Sequence, residues 1–274
     1  MSKLIERYYD LSPADDFGFV VTTENISVVR EMAKKAHPKS ILGIAGGGEQ
    51  LLLGFLPLNA QCVGVDIARR PLASTFLKAL LVERNPSKKV KSIIEKGEDY
   101  FYDFQMEVAD EFPIQLRPIV NSQRLISGSN YERFRNVWLN TEDSIIGDCR
   151  QNLENLSLVH SGMSEIRNQK IRFDLVYCSN AVRSWEPLSV EGNLGVDDLV
   201  LLTKNNGYIF TSYPFDKVPG NFNIIDRQIP LKGGWEYSLY QVEPSVISRL
   251  KTGFTANLKD RIERSPLTYF MPSG

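Results

Sequence analysis

The stretch Ile41–Asp66, ILGIAGGGEQLLLGFLPLNAQCVGVD, decides the fold. It opens on a short β-compatible apolar run, Ile41-Leu42-Gly43-Ile44-Ala45, and passes through three consecutive glycines, Gly46-Gly47-Gly48. A helix-like apolar segment, Leu51 to Leu56, comes next, and then a second apolar run, Cys62-Val63-Gly64-Val65, that ends on Asp66. Strand, glycine turn, helix, strand and closing carboxylate make one βαβ unit, with a ligand crevice expected at the carboxyl edge of its strands. The fold class this predicts is α/β, Rossmann-like, with a doubly wound and mostly parallel sheet.

The crevice constrains its ligand. Residues without Cβ atoms let the backbone approach a bound molecule. The amides of the turn and of the helix start favour a negative or polar group. An acid closing the second strand, about 20 residues past the turn, can accept hydrogen bonds from both ribose hydroxyls. An adenosine-type cofactor follows, held by Ala45, Gly46, Gly47, Gly48, Glu49, Gln50 and Asp66. The alternative is that glycine and acid merely close turns of an ordinary α/β sheet. A dinucleotide fingerprint, G-x-G-x-x-G, would place its third glycine on Leu51 when counted from Gly46, which argues against NAD or FAD.

In shape the segment resembles the class I S-adenosylmethionine (SAM) methyltransferases. Their strand acid and glycine ladder would fall on Gly43, Ala45, Gly47 and Glu49, so only one glycine fits. The run IAGGGEQ followed by three leucines is more similar to the SAM-using 3-amino-3-carboxypropyl transferases of betaine-lipid synthesis. Their loop ends in a glycine, an acid and an amide, here Gly48, Glu49 and Gln50. The resemblance implies SAM as cofactor and transfer of its amino acid arm to an acceptor, and, as the residue after the ribose acid flanks the adenine in SAM folds, it makes Ile67 a candidate beside the adenine.

Composition sets wider bounds. A chain of 274 residues, 42% hydrophobic and 24% charged, is that of an ordinary globular protein able to bury a sizeable core. A net charge of -1, from 32 basic and 33 acidic residues, gives no global grip on nucleic acid or anionic membrane. Cys62, Cys149 and Cys178 form no C-x-x-C pair; two of them lie in predicted strands, where a free cysteine reads as a small buried hydrophobe, and a reducing, cytoplasmic setting fits. No run reaches the ~18 apolar residues of a membrane helix, so a lipid substrate would be met at the membrane surface. Two scattered histidines and unpaired cysteines give no metal-ligand spacing.

Residues 1–40 read as an N-terminal helical arm, with Leu4 to Tyr9 helical, a turn at Asp15–Phe19 and an amphipathic helix from Thr22-Thr23-Glu24-Asn25 to Ala36. Tyr8, Tyr9 or Phe17 would pack the arm onto the domain or face the cofactor. Residues 41–274 then form the cofactor domain. From Asp66 to the next clear strand, Leu156–His160, is about 90 residues, where a βαβ step needs only ~30. The excess, residues 88–155, is a helical insertion expected to act as lid and acceptor pocket. Its segments GEDYFYDF (Gly97–Phe104) and GSNYERFRNVWL (Gly128–Leu139) resemble aromatic-acidic and arginine-bearing segments of the same transferase family. Phe101, Tyr131, Phe134 and Trp138 are expected to form the insertion's own core.

The third strand closes on Ser161-Gly162-Met163-Ser164, where SAM folds contact the adenine. Ser161, Gly162 and Met163 are therefore candidates, acting by shape or a hydroxyl. His160, in the strand itself, invites a catalytic role, although a packed histidine is commoner there. Strand Phe173–Cys178 ends on Ser179-Asn180, with Trp185 beyond, again as in the transferase family. Ser179 and Asn180 are placed at the cofactor, and Asn180 is the leading candidate beside the reacting sulfonium, with a helix cap as its alternative. A helix at Leu199–Thr203, a turn at Asn205-Asn206-Gly207 and a strand at Tyr208–Tyr213 come next. A hairpin of Asn223–Arg227 with Tyr237–Val242 completes the sheet.

SAM is an activated electrophile, so the protein's task is alignment. Attack at the methyl carbon gives methylation; attack at the γ-carbon of the methionine arm transfers 3-amino-3-carboxypropyl and releases methylthioadenosine. Gly43, standing where methyltransferases keep an acid that holds the arm, favours the second route. Glu49, Tyr102 and Asp103 are the candidate proton acceptors. The acceptor is expected to be a small molecule, an amino-acid-like compound or a lipid, without nucleic acid. Methyl transfer on the same fold, and a non-catalytic SAM-binding partner subunit, are the competing functions.

Overall fold

The structure, a computed structural model, describes residues 6–10, 20–162, 166–167, 169–179, 196–212, 222–228 and 236–243. The fold is α/β and Rossmann-like, and the chain divides into two compact units, Met1–Gly162 and Met163–Gly274.

In the first unit four parallel strands lie in the order β1-β4-β3-β2, formed by Tyr8–Asp10 (β1), Ser40–Ile44 (β2), Gln61–Asp66 (β3) and Leu156–His160 (β4). The apolar runs quoted above are thus strands, and their unbroken apolar character reflects burial on both faces. Register pairs Gly43 with Gly64, and Asp66 with His160. Helix α1 (Ile26–Lys35) starts where Asn25 accepts hydrogen bonds from the Ser27 and Val28 amides, and buries Ile26, Val29, Met32 and Ala33.

Between β2 and β3 the apolar segment Gln50–Phe55 winds as a π-helix, its Leu56 amide reaching back to the Leu51 carbonyl. It lies close on β3 because Gly64 is opposite Leu51; a Cβ at Gly64 would come within 2.4 Å of Leu51 Cδ1. Helix α2 (Arg69–Arg84) is the crossover to β4, and its residues Pro71 to Val82 are all buried.

The insertion is helical as expected: α3 (Ser87–Glu95), α4 (Glu98–Glu107), α5 (Arg117–Ser122), α6 (Ser129–Leu139) and α7 (Asp143–Gln151) precede β4. Its aromatics form a core of their own. Phe101 and Phe134 have ring centroids 4.8 Å apart, Phe134 and Trp138 5.8 Å, and Tyr131 donates to the Ile94 carbonyl at 2.6 Å. Gly97 and Gly128, both at positive φ, precede α4 and α6. Glu98, in the first turn of α4, accepts from the Gly128 amide at 2.8 Å and from Arg124 at 3.0 Å, tying the two helix starts together.

In the second unit, β5 (Phe173–Ser179) pairs parallel with β6 (Thr203–Thr211), and the hairpin β7 (Phe222–Gln228) and β8 (Tyr237–Val242) continues antiparallel, in the order β5-β6-β8-β7. Helix α8 (Val196–Leu202) leads directly into β6.

Two local expectations are corrected. Tyr8 and Tyr9 are in a strand, because the edge of β4 offers unpaired backbone groups that three residues of β1 satisfy; Arg7 fixes the approach by donating to the Leu153 and Leu156 carbonyls. The turn expected at Asn205–Gly207 lies inside β6, where Asn206 takes a left-handed conformation and the pairing with β5 shifts register.

Candidate functional site

The glycine loop and the turn after β3 leave neighbouring parallel strands at their carboxyl ends. Each is held differently.

Behind the loop stands an ion pair that sequence reading missed. Lys78, fully buried in α2, lies with its Nζ 2.5 Å from Glu49 Oε1 and donates to the Val20 carbonyl at 2.7 Å and to the Gly47 carbonyl. Burial pulls the Lys78 ammonium below the ordinary lysine range, and Glu49 acts against that pull. The other oxygen of Glu49 accepts from the Thr22 amide at 3.0 Å. Gln50 donates to Thr22 Oγ1 at 2.6 Å and to Glu24 Oε2 at 2.8 Å. Ser74 and Thr75, one turn before Lys78, donate to the Val20 and Ala45 carbonyls. A polar stripe of α2 therefore clamps both the loop and the segment from Val20 to Glu24.

This changes the reading of the glycines. Gly47 and Gly48 have φ of 94° and 86°, and a Cβ on them would fall 2.6 Å from the Thr22 amide nitrogen and 2.4 Å from Thr75 Oγ1. Their own chain, closing over the loop, requires glycine at both. Ala45, Gly47, Gly48, Glu49 and Gln50 are all buried, whereas Gly46 is half-buried and a Cβ there would meet only Ile44 at 3.7 Å. Of the three glycines, only Gly46 has room for a Cβ. Lys78 was legible as the one charged residue inside the apolar run Leu72–Val82, four residues from Ser74 and three from Thr75, with Glu49 as its complement.

The turn after β3 is more open. Asp66 is half-buried; its Oδ1 accepts from the Ala68 amide at 3.0 Å, and its carbonyl accepts from the Ser161 amide at 3.0 Å. Ile67 is 57% exposed. Ser161 is buried and Gly162 half-buried at the end of β4. Under the turn, His160 is buried between Asp10 and the Ile67 carbonyl, and Arg69 pairs with Asp10 at 2.9 Å.

The structure thus brings Ala45–Gln50, Asp66, Ile67, Ser161 and Gly162 to the carboxyl ends of β2, β3 and β4. Tyr102 and Asp103 are on α4, which packs against α3 and α5 within the insertion. Tyr102 is half-buried with the Arg124 guanidinium 4.8 Å from its ring centre, and Asp103 is exposed. In the second unit Ser179 ends β5 at φ 50°, a left-handed value rare outside glycine, with its carbonyl accepting from Ser212 and Thr211. Phe17, Met163, Ser164, Asn180 and Trp185 lie outside the described residues.

Among the described residues no group of His, Cys, Asp and Glu could hold a metal ion, and no helix is long and apolar enough to cross a membrane. The three cysteines are buried, and burial raises the thiols of Cys62 and Cys149.

No family model matches the chain. No curated protein matches it either. Similar solved structures include the rRNA methyltransferase aviRa from Streptomyces viridochromogenes, with 12% identity over 92% of this chain and 94% of that one and a TM-score of 0.45. A methyltransferase from Geobacter sulfurreducens has 8% identity over 81% and 82%, with a TM-score of 0.38. The glycopeptide N-methyltransferase MtfA complexed with S-adenosylhomocysteine has 14% identity over 85% and 78%, with a TM-score of 0.28. All three are methyltransferases.

Proposed function

We propose that this chain is a SAM-dependent transferase that moves the 3-amino-3-carboxypropyl group to a small-molecule, amino-acid-like or lipid acceptor, releasing methylthioadenosine. In this reading the carboxylate of Asp66 accepts from the ribose hydroxyls, Ile67 covers the adenine and the bare backbone at Gly46 lets the ligand approach the loop. When bound, SAM supplies a sulfonium whose three neighbouring carbons are open to a nucleophile.

The observation that carries the choice of carbon is the inward turn of Glu49. Its carboxylate is engaged by Lys78 and the Thr22 amide, and Gly43 brings no side chain to β2. Neither β2 nor its loop then offers an acid to hold the amino acid arm in the methyl-transfer position. An arm left free of that tether can turn its γ-carbon to the acceptor.

Product analysis tests the assignment. Incubation with SAM and amino acid, small-metabolite or lipid acceptors should yield methylthioadenosine. S-adenosylhomocysteine in its place would overturn the choice of carbon and leave the cofactor standing. Binding without turnover would support a partner-subunit role, and no binding at all would remove the cofactor.

A further inference from the structure

The carboxyl ends of β1, β4 and β3 stand side by side, with Asp10 in register with His160 and His160 in register with Asp66. His160 is fully buried there, and each nitrogen of its ring faces an oxygen: Nδ1 lies 2.5 Å from Asp10 Oδ1, and Nε2 lies 2.9 Å from the Ile67 carbonyl. A carbonyl oxygen only accepts, so Nε2 must carry its hydrogen. An imidazole with hydrogen on Nε2 alone would direct the Nδ1 lone pair at a carboxylate oxygen, two acceptors in contact. Both contacts are hydrogen bonds at once only where a hydrogen lies in each. The second oxygen of Asp10 takes Arg69 at 2.9 Å, which fixes the carboxylate from its other side.

We propose that His160 is a positioning residue for the nucleoside end of the cofactor site, acting through the proton it shares with Asp10. With both nitrogens engaged, the ring pins the Ile67 carbonyl inward while the Ile67 side chain stays exposed and Asp66 caps the Ala68 amide. The binding half of this rests on the cofactor reading above. Among the described residues, the charged and titratable groups around the pair are Tyr8 of β1, Asp66 of β3 and Arg69 of α2. Loss of the shared proton leaves one ring nitrogen facing an acceptor without a hydrogen between them. If the remaining hydrogen stays on Nε2, the Asp10 contact fails; if it moves to Nδ1, the Ile67 contact fails. Cofactor affinity then falls as pH rises through that loss, because the proton-bound form is the one with the turn in place.

The test begins with the full chain labelled with ¹⁵N and long-range proton–nitrogen spectra of its two histidines, the exposed His37 serving as reference. Near neutral pH, His160 should show both ring nitrogens protonated, or a protonated Nε2 together with the carboxyl carbon shift of a protonated Asp10. A bare Nδ1 beside an ionised Asp10 overturns the proposal. Calorimetry with S-adenosylhomocysteine, at pH values on either side of the proton loss that the spectra locate, reads the coupling. Wild type should weaken about ten-fold across it, the worth of one charge-assisted hydrogen bond. Asp10→Asn should hold its affinity flat, since its amide donates to Nδ1 and its oxygen accepts from Arg69 with no extra proton. Wild-type affinity unchanged across the proton loss overturns the positioning role. No heat in either protein at any pH removes the cofactor reading and the positioning role together, while the spectra still decide the shared proton.

Discussion

Two turns leave adjacent parallel strands of the first unit, and they are built on opposite plans. The loop after β2 is glycine-rich, buried and clamped from behind by Lys78 and Thr75 of α2. The turn after β3 has no glycine, carries an exposed isoleucine and is held by the Asp66 side chain, a main-chain contact from Ser161 and one histidine. The contrast shows that consecutive glycines need not mark the place where a ligand comes closest. At Gly47 and Gly48 the approaching backbone and side chain are the protein's own, and only Gly46 is left for anything else.

The sharpest way to break the contrast is Lys78→Met, which leaves the Glu49 carboxylate buried and unpaired. Chemical denaturation should show a loss of about 3–5 kcal/mol, with most of it regained when Glu49→Gln is added. A loss below about 1 kcal/mol would mean that the pair does not brace the loop. Gly48→Ala comes next, with an expected cost of about 1–3 kcal/mol from its positive φ and its contact with Thr75. Gly46→Ala should change stability by less than about 0.5 kcal/mol while weakening cofactor binding, which would separate the structural glycines from the ligand-facing one. At the other turn, Asp66→Ala should lower affinity for S-adenosylhomocysteine about ten-fold; unchanged affinity in a titration would take Asp66 out of the site.

The smallest effect is expected away from both turns. Tyr131 is pushed up to about 12 by burial. Its folded value lies above that of the unfolded chain, so its contribution is complete below about pH 10 and is lost as pH rises toward the folded value. Tyr131→Phe should cost about 1 kcal/mol near neutrality and flatten the alkaline fall in melting temperature. A fall of equal steepness in the variant would place its cause elsewhere.

Much of the architecture was legible because strand and helix signals depend on local pattern. Phe173–Ser179, Leu156–His160 and the hairpin appear where apolar runs and turn residues predict them, and the insertion's aromatics pack on one another as helical spacing suggests. What escaped was long-range. Tyr8 and Tyr9 looked helical because nothing local reveals that β4 has a free edge. The close packing that a third glycine would give on the helix comes instead from Gly64 on the facing strand, so counting glycines along the loop misplaced the reason for them. Glu49 read as a ligand-facing acid because its partner, Lys78, is a helix away in sequence.

Strand β1 carries one more consequence. Asp10 and His160 are 150 residues apart, and among the described residues β1 pairs with β4 alone. A short parallel strand with so distant a partner closes a large loop for little backbone pairing, so it should dock late in folding. Until it arrives, β4 exposes an open edge on which a foreign strand can settle. During synthesis the segment from Arg7 to Asp10 leaves the ribosome long before its place exists, and its late arrival is what shuts that edge.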